Sequence, residues 1–323
     1  MVCPKKSDDG RVRKFASRST AQQVVAGVDL SGKVYAITGT TSGIGVATAR
    51  AIVHAGAKVF LLNRSKSASE EQITTFKQEK PGAQVEFIEC QLNSLSSVKK
   101  CAEELIAKAG HLHCLVLNAG VTMWKKEGTV DNLESTFGIN HVAHFYLTTL
   151  LLPILRSSSP SKVVVVSSTT HTYSGVDHRK SLSDKVAELC PPVDTDTGSA
   201  RLYSKSKLCN VLFALKLARD EEKNGISVYV LHPGVIATSL NRQLGFFRVV
   251  FNTLAYPFMK SVEQGAATTV YCAAHPDADG VTGHYWADCW TDDKNLNKEL
   301  AQDKELQEAV WKRTEEIIKA TGH

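Results

Sequence analysis

Six short, almost wholly apolar runs separated by amphipathic stretches constrain this chain more than any other feature of its sequence. The runs are residues 34–37, 59–62, 85–88, 115–117, 163–166 and 228–231. A strand that is apolar at successive positions presents a greasy side chain to both faces of its sheet, so both faces must be covered. The intervening residues 45–55, 97–109, 132–155 and 203–223 carry apolar side chains at helical spacing. Strand and helix in alternation predict an α/β fold: a doubly wound parallel sheet with helices on both faces.

Composition narrows the function classes. With 43% hydrophobic and 22% charged residues over 323 positions, the chain has the makeup of a globular protein and not of a disordered or collagenous one. The first twenty residues hold six Lys or Arg against two Asp, so four of the five net positive charges sit there. The nearly neutral remainder argues against a nucleic-acid partner. Residues 1–28 are read as a solvated, mobile basic arm with a short lead-in helix capped by Thr20, and residues 29–323 as one domain. An anionic lipid or protein partner is the minority alternative for the arm. The eight cysteines form no C-x-x-C pair, which points to a reducing compartment. No apolar signal core is seen and no stretch reaches membrane-spanning length, so the expected location is the cytoplasm. Peripheral membrane contact and a homo-oligomer stay open.

The first strand runs into Thr38-Gly39-Thr40-Thr41-Ser42-Gly43-Ile44-Gly45 and then directly into a helix. Glycines there let backbone approach a diphosphate, whose charge faces the helix N-terminus. A three-glycine turn alone is a weak signal, but at the first strand-to-helix junction of an alternating chain it becomes strong. The second strand ends in Asn63-Arg64, beside the expected adenosine ribose. An acid there would repel a 2′-phosphate, whereas a guanidinium suits one. NADP(H) is therefore favoured over NAD(H), the bland alternative being a solvated Arg64.

Further along come Asn118-Ala119-Gly120 after the fourth strand, Asn140-His141 in a helix, Ser167-Ser168 after the fifth strand, and Tyr203-Ser204-Lys205-Ser206-Lys207. Tyr203 and Lys207, four apart, share a helix face. An ammonium beside a phenol is expected to lower the phenol pKa toward the range of an acid–base catalyst. His141, His144 and His171 are read as packing residues, and no metal site is expected.

In this order and at these places the motifs resemble those of the short-chain dehydrogenase/reductase family, over about residues 29–290. Within it, the chain is most similar to retinol dehydrogenases and the oxidoreductase domains of WW-domain-containing oxidoreductases, through Asp29-Leu30-Ser31-Gly32-Lys33, residues 140–145 and residues 264–271. The resemblance implies a Rossmann-like fold and an alcohol/carbonyl oxidoreductase. It makes Tyr203 the proton donor or acceptor and Ser168, rather than Ser167, the group polarising the substrate oxygen. Lys207 would tune Tyr203 and bind the nicotinamide ribose, and Asn140 would hold a relay water. Pro233, Gly234 and Thr238 would hold the carboxamide. Gln91 stands where the family commonly has an Asp near the adenine. The apolar stretch 246–258, beginning Phe246-Phe247, falls where the family places a substrate flap, so a retinoid, steroid or lipid aldehyde is the expected substrate class. Two other readings compete: a catalytically silent nucleotide-sensing scaffold, and a nucleotide-sugar epimerase or dehydratase. The intact Asn140, Ser168, Tyr203 and Lys207 argue against the first, and the glycine spacing against the second.

Overall fold

The computed structural model of the chain describes residues 12–123, 127–236 and 259–323. Each predicted strand is present and runs one or two residues beyond its apolar run. In chain order, α1 (Ala21–Val24) precedes β1 (Val34–Thr38), α2 (Gly43–His54), β2 (Lys58–Asn63), α3 (Lys66–Glu79) and β3 (Val85–Glu89). After α4 (Leu95–Ala109) and β4 (Cys114–Leu117) come α5 (Ser135–Phe137), a π-helical turn (Gly138–Val142), α6 (Ala143–Ser157) and β5 (Ser161–Val166). Then follow α7 (Leu182–Leu189), α8 (Ser199–Glu221), β6 (Ile226–Leu231), α9 (Val262–Ala274), β7 (Tyr285–Ala287), β8 (Trp290–Thr291), α10 (Lys298–Ala301) and α11 (Lys304–Ala320).

The strands form one sheet in the order β3-β2-β1-β4-β5-β6-β7-β8, parallel except for β8. Strand residues alternate between two cores, which is why their sequence runs are continuously apolar. Ala36, Phe60, Leu115, Val163 and Val228 face a core shared with α4, α6 and α8. Ile37, Leu61, Val116, Val164 and Tyr229 face one shared with α2 and α9. The chain builds outward from β1 to β3, then returns to add β4 on the other side of β1. That reversal opens a crevice at the carboxyl ends of β1 and β4, where ligands of such sheets bind.

Several expectations need correction. The basic arm, where described, is not a solvated tail. Phe15 packs edge-on to Tyr271 and His275, Lys14 pairs with Asp277 at 2.8 Å, and Arg13 and Arg18 donate to the Asp288 and Met259 carbonyls. The lead-in helix does form, with the Thr20 cap. Residues 169–200 hold a 3-10 turn over Thr169–Tyr173 and α7, whose N-cap is Ser181. The C-terminal helical segment is split into α10 and α11. Leu306, Val310 and Ile318 enter the core, while Trp311 stacks on Phe213 at 5.7 Å. The continuous helix across residues 135–157 is long and apolar enough to span a membrane, contrary to the reading that no stretch is. Here 78% of its most apolar 18-residue stretch is buried within the protein, and that apolar surface is spent on the core. β7 and β8 escaped the sequence reading because they are two to three residues long. Their turn places Asp288 (φ 53°) and Cys289 (φ 58°) in the left-handed region without the glycine that normally announces such a hairpin.

Candidate active site

The glycine turn is held shut by side chains from three elements. Thr38 Oγ1 accepts from the backbone N–H of Asn118 and Ala119, at 2.9 and 3.0 Å. Asn118 Nδ2 donates in return to the carbonyls of Thr38 and Gly39. These bonds tie the carboxyl ends of β1 and β4 together across the crevice. Gly45 is required sterically, because a Cβ there would lie 2.1 Å from the Gly39 carbonyl oxygen. Gly39 and Gly43 both have positive φ, of 70° and 57°.

Asn63 and Thr40 occupy the turn differently from what the sequence suggested. Asn63 is buried, with Oδ1 accepting from Thr40 N and Nδ2 donating to Thr40 Oγ1 and Ser69 Oγ. Thr40 Oγ1 also donates to Gln72 Oε1, and Gln72 Nε2 donates to the Thr40 carbonyl. Both side chains are thus committed to bracing the loop, with Ser69 and Gln72 of α3 as partners the sequence did not single out. Outward, Thr41 and Ser42 are exposed, and the Ser42 hydroxyl makes no capping bond to α2. The first-turn N–H groups of α2, lacking intrahelical partners, face the same opening. Arg64 is exposed just past β2, and among the described residues it makes no hydrogen bond or ion pair. Gln91 Nε2 donates to Glu89, which leaves Gln91 Oε1 as the outward acceptor.

The proposed reacting groups converge further along the same crevice. Asn140 sits in the π-helical turn, whose extra residue interrupts the single helix expected there. Its Nδ2 donates to the Val121 carbonyl at 2.9 Å and Ser206 Oγ at 3.0 Å, and its Oδ1 accepts from Val121 N. The two serines are separated by their partners. Ser167 is buried and donates to the Lys207 carbonyl at 2.8 Å, whereas the Ser168 hydroxyl meets the Tyr203 phenol. Lys207 Nζ donates to the Val166 carbonyl at 3.0 Å and lies 5.6 Å from the centre of the Tyr203 ring. Gly120 keeps that space open, since a Cβ there would stand 3.2 Å from Lys207 Nζ.

Electrostatics correct one expectation. Burial pushes the Tyr203 phenol up to about 12, with the Ser168 bond pulling the other way. Burial also draws Lys207 down to about 8. The ammonium spends its nearest bond on Val166 rather than on the phenol, and desolvation outweighs attraction. The phenol is therefore held as an acid near neutral pH.

His144 belongs to the same frame. Its Nδ1 lies 3.3 Å from the Asn140 carbonyl and its Nε2 3.0 Å from Thr38 Oγ1, linking the π-helical turn to the glycine turn. Burial lowers His141 to about 4 and His144 to about 3, so both stay neutral. Among the described residues no three His, Cys, Asp or Glu side chains gather as a metal would need. Pro233 and Gly234 follow β6 at the crevice, while Thr238, Phe246 and Phe247 lie outside the described residues.

The arrangement fits a nicotinamide dinucleotide. The positive-φ glycines and the uncapped N-terminus of α2 suit its diphosphate, and the space kept beside Lys207 by Gly120 suits the nicotinamide end. A sequence profile for short chain dehydrogenase matches residues 33–178. The chain is 40% identical over 309 residues to the WW domain-containing oxidoreductase of Gallus gallus, covering 95% of this chain and 73% of that protein. It is 35% identical over 302 residues to retinol dehydrogenase 14 of Mus musculus, covering 90% and 86% respectively. Among solved structures it resembles an uncharacterized protein from Mycobacterium Paratuberculosis, with a TM-score of 0.70, 26% identity, and coverage of 94% of this chain and 98% of that one.

Proposed function

Since the chain belongs to the short-chain dehydrogenase/reductase family and is an oxidoreductase, we propose that it moves a hydride between NADP(H) and a lipophilic alcohol or carbonyl. The convergence of Ser168, Tyr203, Lys207 and Asn140 beside the glycine turn carries this reading. When bound, the nicotinamide supplies or accepts the hydride. Tyr203, protonated near neutral pH, gives its proton to the substrate oxygen during reduction; in oxidation it must first pass that proton along the Lys207 relay, so that the phenolate takes the proton of the alcohol. Ser168 donates a hydrogen bond to that oxygen and stabilises the charge that develops on it. Lys207 holds the ribose and feeds protons toward Tyr203. Asn140, clamped by Val121 and Ser206, keeps the relay beside Lys207 in place.

The cofactor preference rests on Arg64, whose guanidinium is exposed beyond β2 with no partner among the described residues. Arg64→Leu should weaken NADPH by about 1 to 3 kcal/mol, the range for charge-assisted hydrogen bonds, and leave NADH unchanged. Calorimetric titration of both cofactors decides this, since equal losses for the two would remove the argument. The substrate class rests on the apolar 246–258 stretch of the sequence and on the retinol dehydrogenases among the relatives. A panel of retinoid, steroid and lipid-aldehyde substrates, assayed with each cofactor in both directions, tests it. Turnover confined to small polar carbonyls would overturn the lipophilic assignment. The seven described cysteines are free, which supports work in a reducing compartment such as the cytoplasm.

A further inference from the structure

We infer that His171 is a positioning residue for Ser168, and that the ring column His171–Tyr285–His232 ties the substrate-polarising hydroxyl to the Pro233–Gly234 segment. This rests on the proposed roles of Ser168 and of that segment. Ser168 is the N-cap of the 3-10 turn over Thr169–Tyr173, so its peptide orientation sets where its hydroxyl points. Its carbonyl accepts twice from His171: from the ring Nδ1 at 2.7 Å and from the backbone N–H at 3.1 Å. The other ring nitrogen, Nε2, accepts from the Asn297 N–H at 3.3 Å. A peptide N–H can only donate, so Nε2 is the acceptor and Nδ1 carries the proton. One neutral tautomer satisfies both bonds, and the ring is fully buried.

The column continues from there. The His171 and Tyr285 rings lie 5.0 Å apart, with the Tyr285 hydroxyl 3.4 Å from His171 Nδ1. Tyr285 stacks on His232 at 5.8 Å and 23°, and His232 Nδ1 accepts from the Gly234 N–H at 3.1 Å. Ser168 follows β5 and His232 follows β6, its neighbour in the sheet, while Tyr285 belongs to β7 on the far side of β6. The two buried rings of His171 and Tyr285, with the half-buried ring of His232, therefore fix the separation between the groups that hold the substrate oxygen and those that hold the nicotinamide carboxamide. A hydride crosses that separation, so a small change in it is costly.

His171→Leu removes both ring hydrogen bonds at similar bulk, whereas His171→Asn keeps an N–H donor near the Nδ1 position. We expect His171→Leu to lower kcat about 10- to 10²-fold, the range for a misplacement of the order of an ångström. The affinity for NADPH, measured by direct fluorescence titration, should stay within about twofold, and the primary isotope effect with 4-deuterated NADPH should rise. His171→Asn should recover most of kcat. Turnover of His171→Leu near wild type, or an asparagine variant as impaired as the leucine one, would overturn the proposal. So would a loss of kcat matched by a loss of cofactor affinity. A readout independent of turnover separates this from failure of the functional reading. In protein labelled with [13Cζ]tyrosine, the Tyr203 resonance, assigned by its disappearance in Tyr203→Phe, should shift in His171→Leu and not in His171→Asn. An unmoved resonance in His171→Leu refutes the positioning of Ser168 whether or not a substrate is known.

Discussion

Tyr203→Phe should reduce turnover by about 10² to 10⁴-fold, the contribution of a positioned general acid–base group, while cofactor affinity and thermal midpoint stay close to wild type. The substitution deletes one oxygen and keeps the ring, so the packing of α8 is preserved. That oxygen meets the Ser168 hydroxyl. The nearest bond of neighbouring Lys207 goes to the Val166 carbonyl and so survives the change. Because the phenol sits at about 12, the wild-type enzyme meets substrate with the proton already in place for reduction. Steady-state rates in the direction of reduction, together with a cofactor titration and a melting curve, test this. Turnover within a few-fold of wild type would show that the proton comes from elsewhere.

What the sequence disclosed, and what it hid, follows from the range over which each signal acts. β1, β2, β4, β5 and β6 were legible because burial on both faces writes a continuous apolar run, and the edge strand β3 because only Glu86 interrupts its run. β7 and β8 lie at the sheet margin, are short, and turn through Asp288 and Cys289, so nothing local marked them. Tyr203 and Lys207 could be paired because four residues along a helix is a local relation. The bonds from Asn63 to Thr40, from Lys207 to Val166 and from His171 to Ser168 join segments, or depend on turns, that only the folded chain creates. For the same reason Asn63 and Thr40 read as cofactor ligands when their side chains in fact brace the loop. The expected effect of Lys207 on the phenol failed on a similar point: spacing reveals proximity, but not how far burial has desolvated both groups. The docking of α11 is likewise hidden, because helical periodicity shows one apolar face without showing that α8 and α6 wait to receive it.

Lys207→Met should lose turnover by at least about 10²-fold and yet make the cofactor-free protein more stable at pH 7. Holding this ammonium at about 8 rather than its ordinary 10.5 costs the fold about 3 kcal/mol wherever both folded and unfolded chains are protonated, which includes pH 7. Methionine fills similar volume without charge and removes that cost. It also leaves the buried Val166 carbonyl without its donor, a loss of about 1 kcal/mol, so the net gain is about 2 kcal/mol. The pH dependence carries a definite sign. Between about 8 and 10.5 the unfolded chain binds more protons at this lysine than the folded one, so wild-type stability climbs and the advantage of methionine shrinks. Above about 10.5 the neutral amine still donates to Val166, and wild type should become the more stable by about 1 kcal/mol. Tyr203 works in the opposite sense, since a folded phenol at about 12 loses stability as pH rises past 10, but it does so in both proteins and cancels in their difference. Urea unfolding of the two proteins at pH 7, 9 and 10.5 should therefore show a midpoint difference that falls with pH and changes sign. A Lys207→Met protein less stable than wild type at pH 7 would mean that the ammonium is stabilised in the crevice by more than the Val166 carbonyl, and that its charge is no burden held in reserve for the cofactor.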